Sequence, residues 1–268
     1  MVKSFKQRRP RPSWQGVFSL AVFAFMYGPI AVLAVYSVNA SRYGAVWEGF
    51  SLVWYRRMLS DTRLLSALQD SLTIATVAVL ISAVVGTMMA VGLARYQFWG
   101  KGLYRGVSYL PLIVPDITIA VSTLIFLATM AIPLSIWTII AAHTVFCLAY
   151  IAVVVSTRLS SINPNLQEAA LDLGATPAQA FVKVLLPELT PAIISGCLLA
   201  FILSLDDLLI SSFTAGGGAN PLPIEIFSRI RTGVKPDINA LSVVLILSSG
   251  VLAFIAEYVR YRSAQKRR

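Results

Sequence analysis

Charge is what this 268-residue chain most lacks. Asp, Glu, Lys and Arg make up 13% of it and apolar residues 57%, where soluble domains carry about a quarter charged residues. So few charged side chains cannot cover an interior this apolar, and a soluble globular fold is excluded. Cysteine is nearly absent. Cys147 and Cys197 lie in apolar runs, and two such residues give neither a disulfide framework nor a metal-ligand spacing. His143 is the only histidine, so no second imidazole completes a metal site. No nucleophile–base set is visible, which disfavours an intramembrane enzyme.

Long apolar runs are present instead. A spanning helix needs about 20 mostly apolar residues. Six segments qualify, at roughly 14–38, 68–94, 107–130, 133–157, 189–213 and 240–259. Positions 131–132 leave only a tight hairpin between the third and fourth. Val38-Asn39-Ala40 after the first run imitates a signal-peptide cleavage site. That run is far longer than a signal core of 7–15 residues, so it is read as retained. No linker or repeat divides the chain, and one membrane domain is expected over 1–268, with its core at about 66–259.

The net charge of +10 follows from 22 basic and 12 acidic residues. Fifteen of the basic residues fall in the two tails and in the second and fourth connections; seven fall on the opposite side. The positive-inside rule then places both termini in the cytoplasm. The tails are read as anchors to anionic lipid headgroups. Without a reading motif, nucleic-acid binding is set aside.

Ionisable residues inside spans cost about 2.5–3.5 kcal/mol each on insertion scales, so they are functional candidates. Asp116, Asp206 and Asp207 qualify, and no Lys or Arg lies deep in a span to neutralise them. One reading is a path for a cation; the other is that each acid is protonated, hydrogen-bonded to a neighbouring helix, or closer to water than its place in a span suggests. Asp116 follows Pro111 and Pro115, which should bend the third span. Counted along a helix from Arg105 it lies about 16 Å in, near mid-membrane. Asp206 and Asp207 are adjacent, about 100° apart on a helix. One is expected to face the path while the other braces a neighbour, with Ser204 adding polarity. The glycines at 216–218 should end the fifth helix. His143 is read as a satisfied interhelical hydrogen-bond partner. Tyr43, Trp47, Phe50, Trp54 and Tyr55 crowd the first external connection as an interfacial belt. Trp47 is far enough from either span to be exposed, and could stack on a cation or meet an extracellular partner.

The fourth connection, 158–188, reads as a short helix begun at Asn163-Pro164 and stopped by Gly174. A second helix begins at Thr176-Pro177 and ends at Pro187. Within it stand Glu168-Ala169-Ala170, Gly174, Val184 and Leu186-Pro187. This spacing resembles the signature loop of permease subunits of binding-protein-dependent ABC importers, with Val184 where Ile is usual. Other stretches resemble the spermidine/putrescine type within that family. They are Asn39-Ala40-Ser41-Arg42-Tyr43-Gly44, Trp47-Glu48-Gly49-Phe50, Leu112-Ile113-Val114-Pro115-Asp116-Ile117, Ser204-Leu205-Asp206-Asp207 and Leu222-Pro223-Ile224-Glu225-Ile226.

The resemblance implies an all-α, six-span type I permease of the bacterial inner membrane, non-catalytic and without a cofactor. It also implies a second permease subunit, an ATPase pair and an extracellular substrate-binding protein. The signature loop would be the coupling helix seated on the ATPase. The chain itself has no nucleotide-binding loop: Gly100-Lys101 is followed by Gly102 and lacks the upstream glycine. An ion channel or ion-coupled carrier could use the same acids, but it leaves the signature loop unexplained. Importers of other solutes remain open at this point.

Overall fold

A computed structural model describes residues 14–41, 46–163, 165–232 and 236–265. The basic residues of the N-terminal tail, Arg42, Tyr43, Gly44, Pro164, Lys235, Lys266, Arg267 and Arg268 lie outside these. The described residues are helical almost throughout, with one isolated antiparallel bridge between Asn39 and Phe50. Among the described residues five helices are long and apolar enough to cross a membrane, and six crossings result if one sharply bent pair counts as a span.

The chain divides into two compact units. The first comprises the described residues of Met1–Leu59 and Val234–Leu245. Here α1 (Trp14–Ser37) is apolar all round and buries only Ser37, the pattern of a helix whose surroundings are themselves apolar. The loop before α2 (Val53–Ser60) is organised by buried Asn39. Its Oδ1 accepts from the N–H of Ser41 and Glu48, and its Nδ2 donates to the Val46 carbonyl. Trp54 is buried and donates its indole N–H to the Asn39 carbonyl at 2.8 Å. It is therefore a structural tryptophan, not the interfacial one its composition suggested.

The second unit holds Ser60–Gly233 and Ile246–Arg268. At its centre α3 (Thr62–Arg95) packs against α6 (Ile136–Leu159) and α9 (Leu186–Asp206). Along α3 the buried positions include Ala67, Ser71, Ala75, Ala78, Ser82, Gly86 and Ala90. These recur every three or four residues and form a stripe of small side chains. Without a hydrophobic drive between helices in lipid, such a stripe lets backbones approach and dispersion contacts accumulate. The Ser82 hydroxyl donates across it to the Thr144 carbonyl at 3.0 Å.

The third predicted span is not straight. It comprises α4 (Lys101–Tyr109), a 3-10 turn (Leu110–Leu112) and α5 (Asp116–Thr129), and the two halves meet at 109°. Pro111 and Pro115 remove two backbone donors, and Pro115 sits just ahead of α5 with φ −57° and ψ 138°. Counting depth along one helix therefore fails for Asp116, which is the first residue of a new helix. The fourth span starts at Ile136 rather than Pro133, where Ser135 and Thr138 form a capping box.

In the fourth connection, α7 (Asn165–Asp172) ends before Gly174, whose φ of +87° suits glycine. Thr176 caps α8 (Pro177–Ala180), its hydroxyl accepting from Gln179 N–H. The helix does not stop at Pro187 as expected. A π-turn (Phe181–Leu185) carries it directly into α9, and this wider turn falls just ahead of Pro187, where the proline ring supplies no backbone donor. The fifth helix also ends sooner than predicted, breaking at Asp207–Leu208 before a short α10 (Leu209–Thr214). Beyond it lie α11 (Leu222–Thr232) and α12 (Pro236–Gln265).

Candidate functional site

Both helix breaks border one cavity of about 140 Å³, lined by Pro111, Asp116, Phe146, Tyr150, Leu203, Asp206, Asp207 and Ile210. Three acids from two distant runs of the sequence thus meet, and no basic side chain lines the cavity. Asp116 and Asp206 are exposed, the first opening α5 and the second closing α9. Neither has an ion-pair partner among the described residues.

Asp207 differs from its neighbour. Its carboxylate accepts from Ser211 N–H at 2.8 Å and Ile210 N–H at 3.3 Å, capping α10. The same oxygen that takes Ser211 N–H lies 3.3 Å from His143 Nε2. His143 is fully buried, with Nδ1 2.7 Å from Ser204 Oγ and Nε2 3.0 Å from Ser211 Oγ. Ser204 is thus buried and engaged with the imidazole, away from the cavity lining. Trp47 belongs to the first compact unit and is half-exposed at 50%.

Sequence reasoning missed the aromatic wall. Phe146 and Tyr150 sit one turn apart on α6, and Phe146 lies three residues beyond His143, so all three share a face. That spacing is visible in the sequence, but nothing there says the face meets the acids. It also missed α10 as a separate piece. The far end of α10 is fixed where Thr138 Oγ1 donates to the Thr214 carbonyl at 2.9 Å. Beyond it a Cβ at Gly216 would collide with the Leu134 carbonyl, so only glycine fits there.

The signature-loop residues gather elsewhere. Glu168, Ala169, Gly174 and Pro187 are exposed, Ala170, Val184 and Leu186 half-buried. Beside them Leu173 is 90% exposed. Arg158 at the end of α6 pairs with Glu188 at the start of α9, Nη2 to Oε2 3.1 Å, and this joins the loop's two ends. A larger groove of about 490 Å³ lies along α3 and α4, lined by residues such as Val85, Met88, Leu93, Phe98 and Tyr104. It contains no charged group.

A third polar cluster joins α3 to α11. Arg229 Nη1 lies 2.8 Å from Asp61 Oδ2, and its Nε donates to Glu225 at 2.8 Å. The hydrogen bond from Arg229 holds the Asp61 carboxyl below the usual carboxylate range, and the same bond raises the Arg229 guanidinium. Asn220 N–H donates to Asp70, and Leu222 N–H to the Ser71 hydroxyl.

An all-helical bundle with five or six candidate crossings, two broken helices and a polar cavity between them defines a polytopic membrane transport subunit. The family described as "Binding-protein-dependent transport system inner membrane component" matches residues 82–268, and the chain belongs to this family. It is 43% identical over 265 residues to the putrescine transport system permease protein PotI of Escherichia coli (strain K12), covering 96% of this chain and 94% of the relative. It is 39% identical over 245 residues to the spermidine/putrescine transport system permease protein PotC of Haemophilus influenzae (strain ATCC 51907 / DSM 11121 / KW20 / Rd), covering 91% and 95%. A chain of a bacterial ABC transporter involved in import of the acidic polysaccharide alginate superposes with TM-score 0.70. That match covers 93% of this chain and 99% of the other at 16% identity, a likeness of fold alone. An inward-facing MetNI methionine ABC transporter chain matches with TM-score 0.59 at 25% identity, covering 74% and 95%.

Proposed function

We propose that this chain is the permease subunit of an ATP-driven ABC importer that carries polyamines, putrescine or spermidine, across the bacterial inner membrane. The observation that carries the substrate class is the meeting of Asp116 and Asp206, unneutralised, beside Tyr150 and Phe146 in one cavity. Two carboxylates offer charge to a flexible polycation, and the aromatic faces add cation–π attraction to its methylene-spaced ammonium groups. Exposed carboxylates hold a cation weakly, which suits a path that must also release it. Trp47 is assigned to the first encounter with a cation delivered outside. Asp207 and Ser204 support the path from behind.

In this reading both termini are cytoplasmic, supported by the fifteen-to-seven basic asymmetry. The loop carrying Glu168, Ala169, Ala170, Gly174, Val184, Leu186 and Pro187 takes the push of an ATPase pair. Its exposed apolar Leu173 and the tie between Arg158 and Glu188 suit a docking element joined to α6 and α9. A second permease subunit completes the path, and an extracellular binding protein supplies the solute.

The test is ATP-dependent uptake of labelled putrescine and spermidine into proteoliposomes holding the assembled complex. Asp116→Asn and Asp206→Asn should lower uptake while assembly persists. Normal uptake in both variants would sink the acidic path. Gly174→Asp should weaken co-purification of the ATPase; full transport with the ATPase retained would refute the docking role.

A further inference from the structure

His143 is a buried titratable group for which the transport path, as described so far, has no use. Its partners lie on both sides of the α9–α10 break: Ser204 precedes the break on α9, and Ser211 follows it on α10. Asp207 stands between them, 3.3 Å from Nε2. A carboxylate can only accept, so the Nε2 facing Asp207 carries a proton. The imidazole therefore holds Asp207 while Asp207 takes the N–H groups of Ile210 and Ser211.

The break contains neither proline nor glycine: the chain reads Leu205-Asp206-Asp207-Leu208-Leu209. Left to propensity, the α-helix would continue through it. What diverts the backbone is Asp207 in an extended conformation, φ −70° and ψ 116°, with its side chain tied to α6 and α10. Asp206 closes α9, and Asp207 and Ile210, at and beyond the diversion, complete the cavity wall beside it. An uninterrupted helix would carry Ile210 to another position and take Asp207 away from the α10 amides.

We propose that His143 is a positioning residue for transport: through Asp207 it fixes the α9–α10 break that shapes the cavity shared by Asp206 and Asp116. The inference rests on the reading of that cavity as the cation path. Thr138 and Gly216 anchor the far end of α10 against the α5–α6 turn and α6, which leaves the His143–Asp207 contact to set the near end.

The experiment is a double-mutant cycle in proteoliposomes with the full complex, reading putrescine uptake per assembled complex and per ATP hydrolysed. In His143→Asn the amide still meets Ser204 but stops short of Asp207. In His143→Gln the amide nitrogen reaches the position of Nε2. The asparagine variant should lose about 10-fold in uptake, the scale of one hydrogen bond to a charged group. The glutamine variant should recover most of it. In an Asp206→Asn background the asparagine change should cost nothing further. His143→Leu, run through the same cycle, provides the reading should the asparagine variant not assemble. An equal loss in both backgrounds, or glutamine as harmful as asparagine, would reduce His143 to a packing residue and overturn the inference. Full uptake by Asp206→Asn alone would take Asp206 out of the path and overturn the inference; full uptake by Asp116→Asn as well would remove the cation path itself.

Discussion

At Ile113–Pro115 the backbone turns because proline leaves no donor and forbids a helical neighbour. At Asp207–Leu208 the sequence has no breaker, and the turn depends on an aspartate held by a histidine on α6. The two breaks border one cavity, yet one is written in local covalent geometry and the other in tertiary contacts. A local break survives changes around it. A tertiary break can be tuned, or lost, from a distance.

Four changes test that contrast, and the largest effect is expected at the anchor of α10. Gly216→Val drives a side chain into the backbone of Leu134, which cannot yield as a flexible side chain could. The assembled complex should be lost on size exclusion, whereas Gly217→Ala, facing open space, should assemble normally. Asp207→Ala should rank next. It strands two amide donors and the His143 N–H, at about 2–3 kcal/mol, read as a lowered Tm in detergent. Pro115→Ala should cost about 1 kcal/mol or less, because it restores one donor and only loosens φ. If Pro115→Ala proved the more damaging of the two, the contrast between local and tertiary breaks would collapse.

The smallest effect lies away from both breaks, at Asp61. Its carboxyl titrates lower in the folded protein than its ordinary 3.8 because Arg229 binds the ionised form. The sign follows from linkage. The stabilisation is complete above the unfolded value and drains away as pH falls through the lower folded value. Thermal stability of Asp61→Asn should thus fall slightly below that of the parent at neutral pH, and the two should converge only under strongly acidic conditions.

Much of the architecture could be read directly from residues. The long apolar runs located the helices, and the prolines at 111 and 115 announced the first break. Gly174 and Thr176 marked the turn in the fourth connection through backbone conformation and capping. The adjacent acids both line the cavity, and Asp207 also caps α10; the helical angle expected between them does not apply, because α9 ends at Asp206. What stayed hidden depends on what packs against what. The break at Asp207 needs His143, 64 positions earlier in the sequence. Trp54 looked like a belt residue until Asn39 supplied an acceptor for its indole. Pro187 looked like a stop, but the π-turn just ahead of it carries the helix past the missing donor.

The π-turn at Phe181–Leu185 has a geometric consequence for the helix that carries it. Buried positions along this helix fall at Ala180, Leu185, Leu189, Gly196, Ala200 and Ser204. The step from Ala180 to Leu185 is five residues, where an α-helix repeats its face after three or four. One additional residue amounts to a phase shift of about 100°, so Val184 leaves the inward stripe and Leu185 takes its place. The helix therefore behaves like a shaft with an offset coupling: its loop end and its cavity end keep separate angular settings. Deleting a single residue there would rotate one end against the other without touching any side chain in the cavity.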